Sequence, residues 1–303
     1  MPIAGELRGR LSGPVMSLHT PFCADGAIDF AGLRGLVERG IAAGSTVMLL
    51  TYGDSLFSLL TDSEVGEVTR VVAEQTAGRA AVVAADRVWW TGKTVEFARF
   101  AGDVGADLLM VLPPDWAQSS TAGTLVDHYA AVAAELPVMV VTNVFGRSPS
   151  MGLEVLGRLR DGVPRVVAIK DDLVGAFARK MALLVHGEWS IISGGQKENH
   201  FDLVQYGCDG YLSTFVAFAP RITQAYWQAV QSEDWGTAAG IIRDFDMPFF
   251  KSILDMPGSF DAALHGIYEL FGISERWRRP PYYSLSDEEM EQLAQLLSDL
   301  KLA

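Results

Sequence analysis

Short apolar runs without polar alternation recur along the chain, and stretches of about ten to fifteen residues with helical spacing of apolar positions lie between them. The runs Val15–Thr20, Thr46–Tyr52, Ala81–Asp86, Asp107–Pro113, Val138–Asn143, Val166–Asp171, Ser190–Gly195 and Gly210–Phe215 read as strands. A strand that is apolar at consecutive positions is buried on both faces, the mark of a parallel sheet under helices. The helical stretches are Phe30–Ala42, Asp62–Thr76, Thr91–Val104, Thr121–Glu135, Gly152–Leu159, Ala176–Leu184 and Glu198–Tyr206, with Pro220–Val230 closing the series. Eight such units in about 215 residues favour closure into a (β/α)8 barrel over an open doubly wound sheet. No Gly-x-Gly-x-x-Gly follows the first strand, which weakens a dinucleotide-binding reading. Beyond the barrel, Asp234–Phe250, Ser259–Phe271 and Ser286–Leu300 are expected to be helical. The last opens on Ser286 and Glu289, spaced as in a capping box. The expected organisation is a barrel over residues 1–230 and a C-terminal helical extension over 231–303. These helices would pack on the barrel or on a neighbouring subunit as one structural unit.

Composition narrows the partners. A formal charge of −13 argues against nucleic acid or an anionic membrane surface. Cys23 and Cys208 stand far apart without partner spacing, so neither a disulfide framework nor a zinc site is expected, and a reducing cytoplasm is the default location. Residues 1–14 hold no apolar core of signal-peptide length, and no apolar run approaches the ~20 residues of a membrane span.

The carboxyl ends of barrel strands form one rim, so residues there should share a pocket. Reading them off gives His19, Thr51, Tyr52, Asp86, Trp116, Thr142, Lys170, Ser193, Gly194 and Ser213. In Arg165-Val166-Val167-Ala168-Ile169-Lys170-Asp171-Asp172 an apolar strand runs straight into a lysine. Burial favours a neutral amine, the nucleophile that forms Schiff bases with carbonyl substrates. The structural alternative is a lysine that snorkels to water or pairs with Asp171.

Several stretches resemble the dihydrodipicolinate synthase / N-acetylneuraminate lyase family of class I aldolases. They are Thr20-Pro21-Phe22 with Asp25-Gly26 and Ile28-Asp29, Leu50-Thr51-Tyr52-Gly53-Asp54-Ser55, Asn143 with Arg147, Ile169-Lys170-Asp171, Ser193-Gly194, Gly210-Tyr211-Leu212-Ser213 and Arg279-Pro280-Pro281. The resemblance runs from about Pro14 to Leu300. It implies that Lys170 forms a covalent imine with pyruvate or a longer sugar-like or aromatic 2-oxo acid, with no other cofactor and no metal. It further implies that Thr51, Tyr52 and Gly53 hold the carboxylate of the oxo acid. Gly194 and Leu212 would lie against the substrate, and the chain would assemble as a homotetramer or homodimer.

Two departures qualify this picture. Thr142 stands where the family carries a tyrosine that shuttles protons to and from the imine adduct, and Pro113-Pro114-Asp115-Trp116 lacks a second tyrosine. A threonine hydroxyl cannot stand in for a phenol in proton transfer. The expectation is therefore a lyase other than the standard synthase, with Tyr52 as first choice for the missing phenol and Asp86 and His19 behind it. Trp116 is expected to shape the pocket wall, and Arg147 to meet the distal end of the substrate with its bidentate fork. The rival reading is a barrel that keeps the lysine, lacks competent proton transfer and serves as a binding or regulatory protein.

Overall fold

The computed structural model describes residues 4–115 and 117–302. Its strands are β1 (Gly13–Ser17), β2 (Val47–Leu49), β3 (Ala81–Ala85), β4 (Leu108–Val111), β5 (Val138–Val141), β6 (Val166–Asp171), β7 (Ser190–Ser193) and β8 (Gly210–Leu212). All pair in parallel and in chain order, and β8 pairs with β1 to close the barrel. Every strand residue of β2, β3, β4, β5, β6, β7 and β8 is buried, which is why these runs carry no polar alternation. At the closing seam Gly13 pairs with Gly210, and a Cβ on Gly210 would lie 2.5 Å from the Gly13 carbonyl oxygen. A bare residue there lets the first and last strands meet.

Helix α1 (Ala4–Arg10) precedes the barrel. The wrapping helices are α2 (Phe30–Ala42), α3 (Asp62–Thr76), α4 (Thr91–Asp103), α5 (Ala122–Ala133), α6 (Pro149–Gly162), α7 (Gly175–Val185), α8 (Lys197–Leu203) and α9 (Pro220–Gln231). The amphipathic pattern anticipated each of these eight, whereas α1 was not among the expected elements. Nonetheless α1 is anchored: Leu7 and Leu11 are fully buried, and the Arg8 carbonyl accepts the Ser190 hydroxyl at 3.0 Å.

The stretch read as one helix over Asp234–Phe250 is three pieces: α10 (Trp235–Ile241), a π-helical turn (Ile242–Asp246) and α11 (Met247–Leu254). Pro248, in the first turn of α11, explains the interruption. Its ring cannot donate a hydrogen bond and crowds the carbonyl four residues back, and a wider turn relieves both. Helices α12 (Ser259–Leu270) and α13 (Asp287–Asp299) follow. The expected capping box at α13 is formed, with the Glu289 carboxylate accepting the Ser286 N–H at 2.7 Å.

The C-terminal segment is fastened to the barrel by Arg279. Its guanidinium donates to the Gly26 and Leu59 carbonyls at 2.7 and 3.0 Å and grips Glu64 at 2.6 and 2.9 Å. A second tie is buried: Lys197 of α8 meets Asp246 of the π-helical turn at 2.7 Å, with its ammonium 4.0 Å from the Phe215 ring centroid. No helix among the described residues is long and apolar enough to cross a membrane.

Candidate active site

Strand β6 delivers Lys170 to the carboxyl rim, with 7% of the residue exposed. It opens into a cavity of about 310 Å³ lined by Thr51, Tyr52, Gly53, Asp54, Met110, Leu112, Val141, Asn143, Asp172 and Gly194. The strand period of two selects these walls. Met110 and Leu112 are two apart, as are Lys170 and Asp172, and Val141 is the register partner of Lys170.

The Lys170 ammonium donates to Asp172 Oδ1 at 2.5 Å. Asp172 is in turn held by its backbone, whose N–H donates to Thr142 Oγ1 at 2.8 Å. The Thr142 hydroxyl donates onward to Asp171 Oδ1 at 2.9 Å, and Asp171 also accepts the N–H groups of Leu173 and Val174. Burial is the largest influence on Asp171 and raises its pKa. Thr142 is thus fully buried in the joint between β5 and β6, one residue past the cavity-facing Val141. Gly194 seals the corner beside the lysine. A Cβ on it would lie 1.8 Å from Asp172 Oδ1 and 2.7 Å from Lys170 Nζ.

The Thr51–Asp54 turn lines the same cavity and is held by two hydrogen bonds of its own. The Thr51 N–H is used by Ser55 Oγ at 2.9 Å and the Asp54 N–H by Thr51 Oγ1 at 2.8 Å. The N–H groups of Tyr52 and Gly53 bond to no described residue. Free consecutive amides beside a hydroxyl are the donor set from which short anion-binding turns are built.

A second compartment of about 230 Å³ adjoins the first along Asp54 and Gly194. Its apolar wall is Met16, Leu212, Phe250, Leu254, Phe260 and Leu264, drawn from the barrel, α11 and α12. Polar groups enter from His19, Tyr268, Ser17 and Gln196. The His19 Nδ1 and the Tyr268 hydroxyl are 3.2 Å apart, and Ser17 donates to Asp54 at 2.5 Å.

The structure thus brings Lys170, Thr51, Tyr52, Gly53 and Gly194 around one cavity and places Leu212 and His19 in its neighbour. Thr142 touches the site through the backbone of Asp172. Asp86 lines neither compartment. It is 1% exposed behind the barrel, accepts the Leu112 N–H at 3.0 Å and the Thr94 hydroxyl at 3.3 Å, and burial pushes its carboxyl up to about 7. Arg147 is exposed and also lines neither. Trp116 lies outside the described residues. Asp172 was not among the expected residues, although its place two beyond Lys170 on a strand end was a signal for a shared face.

A parallel barrel with a lysine at its carboxyl rim, beside a turn whose Tyr52 and Gly53 N–H groups have no described partner, has the build of a barrel lyase. The chain belongs to the dihydrodipicolinate synthetase family, whose sequence pattern matches residues 10–300. It is a lyase-type enzyme of the class I aldolase kind. Among its relatives is a Streptomyces coelicolor protein named "Probable 5-dehydro-4-deoxyglucarate dehydratase 1", 28% identical over 295 residues that cover 94% of this chain and 92% of the relative. A 4-hydroxy-tetrahydrodipicolinate synthase of Sorangium cellulosum is 34% identical over 220 residues, covering 71% of this chain and 72% of its own. Among solved structures, YagE of E. coli K12, a prophage protein of the dihydrodipicolinic acid synthase family in complex with pyruvate, superposes with a TM-score of 0.81. It is 25% identical and covers 96% of this chain and 99% of its own.

Proposed function

We propose that this chain is a Schiff-base lyase in which Lys170 forms an imine with the keto group of a 2-oxo acid, with no further cofactor. The observation that carries the reading is the lysine at the end of β6 sharing a cavity with the Thr51–Asp54 turn. In this reading the Tyr52 and Gly53 N–H groups and the Thr51 hydroxyl bind the carboxylate of the oxo acid, which sets its C2 carbon before the lysine. The imine withdraws electrons from the neighbouring carbon, so a bond to carbon or oxygen further along the substrate can break. Relatives named as a dehydratase and as a synthase both fit such chemistry. Assembly into a homo-oligomer belongs to the same reading and is supported by large exposed apolar side chains such as Trp90, 67% exposed.

The substrate tail then enters the second compartment. At about 230 Å³ it exceeds the ~150 Å³ that holds a benzene ring in an apolar cavity. Among the described lining residues of both compartments, Lys170 is the sole lysine or arginine, whereas Asp54 and Asp172 are both present. A second carboxylate, as a glucarate derivative carries, would find no cation of this chain there and two like charges. The tail is accordingly neutral and mostly apolar, with room for a ring and a hydrogen bond to His19, Gln196 or Ser17.

A turnover panel tests this. The 2-oxo acids with neutral aryl or alkyl tails should show kcat/KM at least about tenfold above those with a second carboxylate, equivalent to ~1.4 kcal/mol. A preference for the diacids would contradict the tail assignment. Absence of turnover with every 2-oxo acid would favour the binding-protein alternative.

A further inference from the structure

We propose that Asp172 is the acid–base group that serves Lys170, taking over the proton transfers for which the phenol is missing at Thr142. This rests on the Schiff-base reading above. Asp172 Oδ1 lies 2.5 Å from Lys170 Nζ and its carboxylate lines the same cavity, so it contacts the nucleophile and faces the substrate. Its side chain keeps 20% exposure against 9% for the lysine, which leaves it room to swing from the nitrogen to a bound substrate.

The position of the missing phenol and the proposed acid–base group are joined in space. Thr142, the residue in the tyrosine position, is the one whose hydroxyl receives the Asp172 N–H. The short side chain lets the end of β5 approach the end of β6 and fixes the backbone that presents the carboxylate. A bare Gly194, just past the end of β7, keeps the space it occupies clear.

The protons balance. A Lys170 N–H bond breaks as a proton passes to Asp172, and the free amine adds to C2 of the oxo acid while the carbonyl electron pair moves to oxygen. Asp172 returns the proton to that oxygen, takes a second proton from nitrogen, and gives it to the hydroxyl as water departs and the C=N bond forms. Of the three ammonium protons, one remains on the iminium nitrogen and two leave in water, with Asp172 again a carboxylate. The carboxylate then removes a proton from C3, whose electron pair closes the enamine. Other ionisable groups are placed less well. Asp54 is bonded to Ser17, Asp86 is outside both compartments, and His19 sits in the neighbouring one. Tyr52 shares the cavity and is the competing assignment.

Exchange of the pyruvate methyl protons in D2O, followed by NMR, reads the C3 step directly, while borohydride trapping of pyruvate reads imine formation. Asp172→Asn should be trapped on Lys170 more slowly but to completion at saturating pyruvate and should exchange about 10²–10⁴-fold more slowly, with Asp172→Glu recovering part of the loss and Tyr52→Phe losing far less than Asp172→Asn. Exchange by Asp172→Asn at the wild-type rate would overturn the proposal, as would a large loss confined to Tyr52→Phe. Absence of trapping in the wild-type protein would instead defeat the Schiff-base reading beneath it.

Discussion

Two lysine–aspartate pairs of nearly equal length sit in this barrel, and their surroundings differ. Lys170 and Asp172 meet at 2.5 Å with 9% and 20% of their side chains exposed, at the edge of a cavity. Lys197 and Asp246 meet at 2.7 Å with 2% exposed each, under the Phe215 ring, and line neither compartment. The sealed pair joins α8 to the π-helical turn and has no route to a substrate. The open pair joins nothing that its backbone does not already hold, because Thr142 and Asp171 fix that turn independently. A short ion pair therefore does not identify a reactive lysine. Its access to a carbonyl does.

The sharpest way to break this comparison is to remove one partner of the sealed pair. Lys197→Met leaves Asp246 as an uncompensated buried charge, so unfolding should ease by ~3–5 kcal/mol, measured from denaturant midpoints. The double change Lys197→Met/Asp246→Leu should recover most of that loss, because well-packed apolar residues often replace a buried ion pair at little cost. Loss of imine formation in the folded double variant would show that the sealed pair is tied to the chemistry after all.

A third pair, Arg279 with Glu64, lies between the two extremes, with 23% and 28% of the side chains exposed. The hydrogen bonds from Arg279 hold the Glu64 carboxyl down at about 2, below its ordinary 4.5. A carboxylate with a depressed folded pKa adds stability above its unfolded pKa and loses it as pH falls through the folded one. The stability gap between wild type and Glu64→Gln should thus be constant above pH ~5 and shrink between about 4.5 and 2, a smaller effect than that of Lys197→Met. A gap that persists unchanged at pH 2 would assign the contribution to packing.

The barrel was legible in the sequence because each strand is buried on both faces and each helix has a long enough amphipathic run. That Thr51, Tyr52 and Gly53 share a cavity with Lys170 was legible through the family resemblance, and the lysine through the apolar strand that ends on it. The rim was harder, since a strand that ends one residue early turns the next side chain elsewhere. Val141, not Thr142, took the face of Lys170, and Asp86 turned outward to the Thr94 hydroxyl of α4. Asp172 escaped notice because Asp171 was the only aspartate weighed as a partner for the lysine, and the Asp171 carboxylate instead caps the following turn. The π-helical turn was missed although Pro248, which breaks a continuous helix locally, stands in the stretch.

The central claim is that Lys170 is the residue that meets the substrate carbonyl. Incubation with pyruvate and borohydride, followed by proteolysis and mass spectrometry, tests it most directly. The account predicts a stable reduced adduct on the peptide that contains Lys170, no adduct on the one that contains Lys197, and loss of the label in Lys170→Ala. A label on any other lysine, with Lys170 unmodified, would contradict it.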